Sequence, residues 1–166
     1  MKTLATLISG LILSFAAAGA GAAPKSLTEA QVKAVLDPWY SQFTVANRGD
    51  VRAIEEKVVS PEFETCNGSL PRECWGREDS IRVITSLGKA IPDLKFEIKE
   101  KIIAGDRVIV RGEVSGTPVA PMFGQPATGK SFRMMTLDLQ TIQGGKLVRT
   151  YHMENWLSAL TQLRAK

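Results

Sequence analysis

The sequence predicts an α+β fold in which helices come first and an antiparallel sheet follows. Two observations carry this. In the first half, apolar residues recur at helical spacing, as in Val32, Val35 and Leu36 and again in Ile81, Ile84 and Leu87. In the second half they alternate with polar residues, as in Leu94, Phe96 and Ile98 set between Lys95, Glu97 and Lys99. A run of helices followed by a run of strands is the α+β arrangement, and 166 residues suit one such domain.

Residues 1–22 read as a signal peptide: Met1-Lys2 gives a positive start, residues 4–18 are an apolar run, and small residues around Ala22 mark the cleavage site. The mature chain, 23–166, is expected to be a single domain, periplasmic or secreted. No membrane span is expected after signal removal, because the apolar run falls short of the ~20 residues that cross a bilayer and no second hydrophobic segment follows it. A first helix follows, with Ser26 and Glu29 at capping-box spacing and with Val32, Val35, Leu36, Trp39, Tyr40 and Phe43 on its apolar side. Pro38 sits within that pattern as a source of a kink. Asn47-Arg48-Gly49-Asp50 reads as a stop and a new acidic cap, giving a second helix over 51–58 that Ser60-Pro61 ends. Cys66 and Cys74 enclose CNGSLPREC, a segment rich in turn residues, and export makes them a disulfide pair. Two cysteines, with the single His152 far along the chain, do not make a tetrahedral metal site, so no metal is expected. A third helix spans 76–91 and stops at Pro92-Asp93.

The strands come as two pairs. Leu94, Phe96 and Ile98 are joined through Ala104-Gly105-Asp106 to Val108, Val110 and Val114, and residues 131–142 are joined through Gln143-Gly144-Gly145 to residues 146–155. Between the pairs, GQPATGKS at 124–131 matches the phosphate-loop pattern letter for letter. A phosphate loop must follow a buried strand and open a helix, yet GTPVAP before it reads as loop and FRMMTL after it as strand. No nucleotide is therefore expected. The net charge of +4 arises from 21 basic and 17 acidic residues without a basic run, so nucleic acid is not an expected partner either.

The stretches GDRVIVRGEVSGT, PMFGQPATGKSF, LDLQTIQGGKLVRTYHMENW and LSALTQL, spread over 105–163, resemble in combination the SnoaL-like polyketide cyclase (ester cyclase) group of the NTF2-like superfamily. The resemblance implies a cone: N-terminal helices packed in a curved antiparallel sheet, with an apolar pocket open to solvent and a homodimer formed through the sheet. It also implies cofactor-free acid/base chemistry, a cyclisation or isomerisation of a small hydrophobic, polyketide-like molecule. The aspartate that the group carries late in its last strand matches Asn155 here, and an amide has no proton to exchange near neutral pH. The cysteine loop has no counterpart in the resemblance.

Alternation along the last strand puts Tyr151, Met153 and Asn155 on one face and Thr150, His152, Glu154 and Trp156 on the other. The resemblance implies that the Asn155 face lines the pocket. Tyr151, Met153 and Asn155, together with Trp39, Tyr40 and Met134, are then the expected ligand contacts, with Met122, Phe123 and Met135 as further adaptable apolar residues. His152, Asp138 and Glu154 are the candidate proton-transfer groups; His152 is the residue whose ordinary pKa lies nearest neutrality. Three functional classes stay open at this level: an acid/base enzyme, a non-catalytic small-ligand binding protein, and a dimeric interaction module.

Overall fold

In the computed structural model, which describes residues 26–44 and 49–164, helices do precede most of the sheet. The signal segment 1–22 and the expected stop at Asn47-Arg48 lie outside the described residues. The elements run α1 (Glu29–Ser41), α2 (Val51–Val58), β1 (Val59–Cys66), β2 (Cys74–Gly76), α3 (Arg77–Ala90), β3 (Lys95–Ala104), β4 (Arg107–Gly116), β5 (Phe132–Gln143), β6 (Lys146–Glu154) and α4 (Trp156–Arg164). The α+β class holds. The strands form one curved six-stranded sheet in the order β2-β1-β6-β5-β4-β3.

Two differences from the sequence reading matter for the site. First, the chain continues from α2 directly into β1, which pairs in parallel with β6 while β2 returns antiparallel along it. The sheet is therefore antiparallel except at one seam. Second, α1 is capped by Thr28, whose side chain accepts from the Gln31 amide while Gln31 reaches back to the Thr28 amide. The capping box sits two residues later than Ser26 would place it.

Val32, Val35, Leu36, Trp39 and Tyr40 point from α1 into the core. There Tyr40 stacks on Phe96 with ring centroids 4.4 Å apart, and Trp39 meets Phe63 edge-on at 5.5 Å. The Phe96 ring presses against β4 at Gly112, where an added Cβ would lie 2.4 Å from the ring. Only glycine fits that contact. Bulges bend the sheet, one in β3 between Ile98 and Glu100, and one in the β5–β6 pair where Thr141 faces Arg149 but Ile142 faces Leu147. Gly144 and Gly145, both with positive φ (57° and 75°), make the tight turn between β5 and β6.

Cys66 and Cys74 are disulfide-bonded, tying the end of β1 to the start of β2, where they also face each other in register. The GQPATGKS segment is loop and leads into β5. It is fastened to α4, with Thr128 donating to the Leu163 carbonyl at 3.1 Å and Arg164 donating to Gln125 at 2.8 Å. Among the described residues no helix is long and apolar enough to cross a membrane.

One charge lies where packing alone would put an apolar residue. Glu55 of α2 is fully buried. Burial raises its carboxyl from 4.5 to about 7, against the opposing pull of the Ser80 hydroxyl and the Arg77 charge. A carboxyl that holds its proton more tightly when folded stabilises fully below its unfolded pKa, and that stabilisation is lost as pH rises through the folded one. We expect urea unfolding to show a loss of about 2–3 kcal/mol between pH 5 and pH 8 from this site. Glu55→Gln should flatten that part of the profile; an unchanged slope would show that Glu55 titrates normally.

Candidate active site

The bulge in β6 decides which residues face the interior. Before it Leu147 is buried; after the extra residue Val148, the inward positions become Thr150, His152 and Glu154. On β5 the inward set is Thr136, Asp138 and Gln140, and cross-strand pairing sets these directly against Glu154, His152 and Thr150. The concave face of the sheet thus carries a ladder of polar pairs, and α1 lays Tyr40 across it.

All of these side chains except Thr136, whose hydroxyl has no partner among the described residues, form one continuous polar chain. Thr150 donates to Gln140 Oε1 at 2.6 Å, and Gln140 Nε2 donates to the Tyr40 hydroxyl at 2.8 Å. Tyr40 in turn donates to Asp138 Oδ2 at 2.6 Å, and Asp138 Oδ1 lies 2.5 Å from His152 Nδ1. The carboxylate acceptor puts a proton on Nδ1 and leaves Nε2 to face Glu154 Oε1 at 3.4 Å. Trp156 closes the chain by donating its indole N–H to Glu154 Oε2 at 2.5 Å.

Burial and charge set the protonation states. Asp138 is 2% exposed, so its charge depends on the partners it has. Burial by itself would lower the His152 pKa, but the Asp138 and Glu154 carboxylates outweigh it and carry the imidazole above neutrality. His152 is therefore a cation at pH 7, held between two carboxylates. Tyr40 is pushed well above its ordinary value, first by burial and then by the Asp138 charge, so it acts as a neutral donor.

The chain opens onto a cavity of about 280 Å³. Asp138, Thr150, His152 and Glu154 line its sheet side with Trp156 of α4 beside them, and Trp39, Tyr40 and Phe43 of the α1 segment line another. Phe96, Leu94 and Val114 give it an apolar floor, and Met122 and Phe123 reach it from the loop ahead of β5. Phe123 meets Trp156 with ring centroids 4.7 Å apart and planes inclined at 56°, and it holds a left-handed backbone, φ 49°. Such a site, mostly apolar with a few convergent polar groups, is what a small-molecule pocket requires.

The candidates named from sequence divide as follows. Asp138, His152 and Glu154 meet at the cavity, and Trp39 and Tyr40 line it. Tyr151 and Met153 do not: they are 42% and 66% exposed on the convex face, because the bulge at Val148 turns the other face inward. Asn155 does not line the cavity either; it is exposed and caps α4, its Oδ1 accepting from the Ser158 amide at 3.1 Å. Met134 is buried in the core cluster of Leu94, Val114 and Phe132 rather than at the cavity. Gln140, Thr150 and Trp156 were missed as network members. The available signal was polar residues at every second position of β5, Thr136, Asp138 and Gln140, which an outer-face reading treats as solvated.

The Tyr40 hydroxyl can be removed at almost constant volume. Tyr40→Phe leaves Asp138 Oδ2 and the Gln140 amide without their partner, and a buried polar group left unpaired costs about 1–3 kcal/mol. We expect a loss of that size in chemical denaturation with the circular dichroism spectrum unchanged. A loss near zero would show that the network does not support the fold.

The SnoaL-like polyketide cyclase model matches residues 34–163. No curated protein matches the sequence. Among solved structures, TsrD from Streptomyces laurentii superposes with a TM-score of 0.72 at 24% identity, covering 84% of this chain and 99% of its own. A provisionally named SnoaL-like polyketide cyclase from Jannaschia sp. CCS1 gives 0.73 at 21% identity, covering 86% and 97%. A SnoaL-like polyketide cyclase from Agrobacterium tumefaciens gives 0.61 at 18%, covering 78% and 97%. At these identities the structural likeness speaks for the fold.

Proposed function

This chain belongs to the SnoaL-like polyketide cyclase family, and from that premise we propose that it is an acid/base catalyst of ring closure or isomerisation on a small hydrophobic, polyketide-like molecule. The observation that carries the reading is a cationic His152 held between Asp138 and Glu154 at the edge of an apolar cavity. A residue in a cleft whose pKa is displaced by specific charge partners, as that of His152 is, is a functional-site candidate.

The geometry suits an intramolecular aldol reaction. Glu154 takes a proton from the carbon beside a ligand carbonyl, while His152 Nε2–H hydrogen-bonds the carbonyl oxygen and stabilises the enolate. The enolate carbon attacks a second carbonyl of the same molecule, forming the C–C bond and an alkoxide. His152 gives its proton to the alkoxide, and Glu154 returns the proton it holds to His152, 3.4 Å away. Asp138 and Tyr40 hold the imidazole in orientation throughout. The balance needs no cofactor, since the product is an isomer of the substrate.

Exchange of α-protons in an aryl ketone such as 2-acetonaphthone, followed by NMR in deuterated water, tests the first step. We expect His152→Ala and Glu154→Gln each to slow exchange by roughly 10²–10⁴-fold, the usual worth of a positioned acid or base. The acid form of His152 persists up to its raised pKa, so activity should fall only as pH climbs above neutrality. Non-catalytic ligand binding is the second reading. It is favoured by Asp138 and Glu154 already holding protein partners, and it would be preferred if the wild type bound the ketone without exchanging its protons.

The convex face supports a homodimer. Ile102, Ile109, Met135, Leu137, Tyr151 and Met153 are exposed there, the kind of apolar patch that marks an association surface. We expect light scattering to give a dimer for the wild type and a monomer for Met153→Lys combined with Leu137→Lys. A monomeric wild type would remove this surface, and the interaction-module class with it. Export is supported by the Cys66–Cys74 disulfide, because paired thiols persist in oxidising compartments. Mass spectrometry of the protein recovered outside the cytosol should find a chain beginning at Ala23.

A further inference from the structure

The helical wall of the cavity carries a polar pair that the proton-transfer chain does not use. Ser80, in the first turn of α3, lines the cavity and is 3% exposed. Its hydroxyl lies 2.8 Å from Glu55 Oε1. Glu55 is fully buried and its Oε2 has no hydrogen-bond partner among the described residues. Gln42 lies beside it, also fully buried, and pulls its pKa down as a hydrogen-bond donor would, although no bond of ordinary geometry joins the two. A buried carboxyl with one unpartnered oxygen weakens a core that an apolar residue of similar size would strengthen. Stability does not account for the pair. What it does is fix the direction of a hydroxyl on the cavity wall.

We propose that Ser80, oriented by Glu55, is a second hydrogen-bonding subsite that takes a ligand oxygen distinct from the one served by His152 and Glu154. The ligand class follows: a flat apolar molecule bearing two separated oxygen functions, one toward the sheet wall and one toward α3. The inference rests on the reading of the cavity as a small-molecule site. Glu55 is a positioning residue, acting through Ser80. When its carboxylate is ionised, the Ser80 O–H points at it and the Ser80 lone pairs accept from a ligand hydroxyl. When it is protonated, it donates to Ser80 and the pattern reverses. Burial brings that change near pH 7; Arg77 and Glu78 of α3 are the charges acting on it, and just past the end of α1 it meets the neutral Gln42.

All three tryptophans of the chain, Trp39, Trp75 and Trp156, line the cavity, so fluorescence quenching reports its occupation. The probes are 1-naphthol and 1,5-dihydroxynaphthalene, which differ by one hydroxyl. At pH 8 the wild type should bind the dihydroxy probe about 5–10-fold more tightly, the worth of one added hydrogen bond. Ser80→Ala should bring that ratio close to one. Glu55→Gln, which keeps an acceptor for Ser80, should hold the ratio constant between pH 5.5 and pH 8, whereas the wild-type ratio should fall at the lower pH. Glu55→Gln also decides the matter if Ser80→Ala does not fold. A wild-type ratio near one, a ratio untouched by Ser80→Ala, or a wild-type pH dependence that survives in Glu55→Gln would overturn the subsite while leaving the cavity reading intact. Quenching by neither probe in the wild type would overturn the cavity reading and the subsite together.

Discussion

The carboxylate of Asp138 is the constraint around which this molecule is arranged. It is 2% exposed, and an unpaired charge at that depth is strongly destabilising. Both oxygens are partnered, one by Tyr40 from α1 and one by His152 from the neighbouring strand. Meeting that requirement fixes much else. α1 must cross the sheet so that Tyr40 reaches β5, and Phe96 must stack beneath the tyrosine ring, which only Gly112 leaves room for. The bulge at Val148 must turn His152 inward. The same interaction that satisfies the fold holds a positive charge on His152 beside an apolar cavity, so one group serves the fold and sets the charge at the cavity.

The sheet is consequently inverted with respect to the usual expectation. Its concave face near the cavity is polar and internally hydrogen-bonded, and its convex face carries Met135, Leu137, Tyr151 and Met153 to solvent. Asp138, His152, Gln140, Thr150 and Glu154 can be buried there because each has a partner, and the low local dielectric then strengthens the bonds along the chain; the Thr136 hydroxyl has no partner among the described residues. The apolar contribution to the cavity comes instead from the helices, from Phe96 and from the loop ahead of β5. The disulfide belongs to the same enclosure. It clasps β1 to β2 between Thr65 and Asn67 on one side and Trp75 on the other, all of which line the cavity.

Much of the fold was legible because helical and strand periodicities are local. The helix at 51–58 and the strands from 95 onward follow from spacing, and the motifs over 105–163 pointed to the family to which the chain belongs. β1 was not legible: its partner β6 lies about 85 residues on, as in the pair Cys66 and Tyr151, and Pro61 near its start reads as a terminator. α4 was missed as a helix although LSALTQL carries its apolar spacing. In the site, the residue types were visible, but their side of the strand was not. Strict alternation carried from Leu147 points Tyr151 and Met153 inward, and a single extra residue reverses them. Asn155 misled for a related reason, since a short polar residue at a strand end is as suited to capping the following helix as to holding a ligand.

Because the chain contains one histidine, its imidazole resonances can be followed by NMR without assignment of any other residue. The His152 titration midpoint should lie above neutrality in the wild type, and fall toward the ordinary value of 6.5 in Asp138→Asn, where the charge that holds the imidazolium is gone. A wild-type midpoint near 6.5, or one that the Asp138 substitution leaves in place, would contradict it.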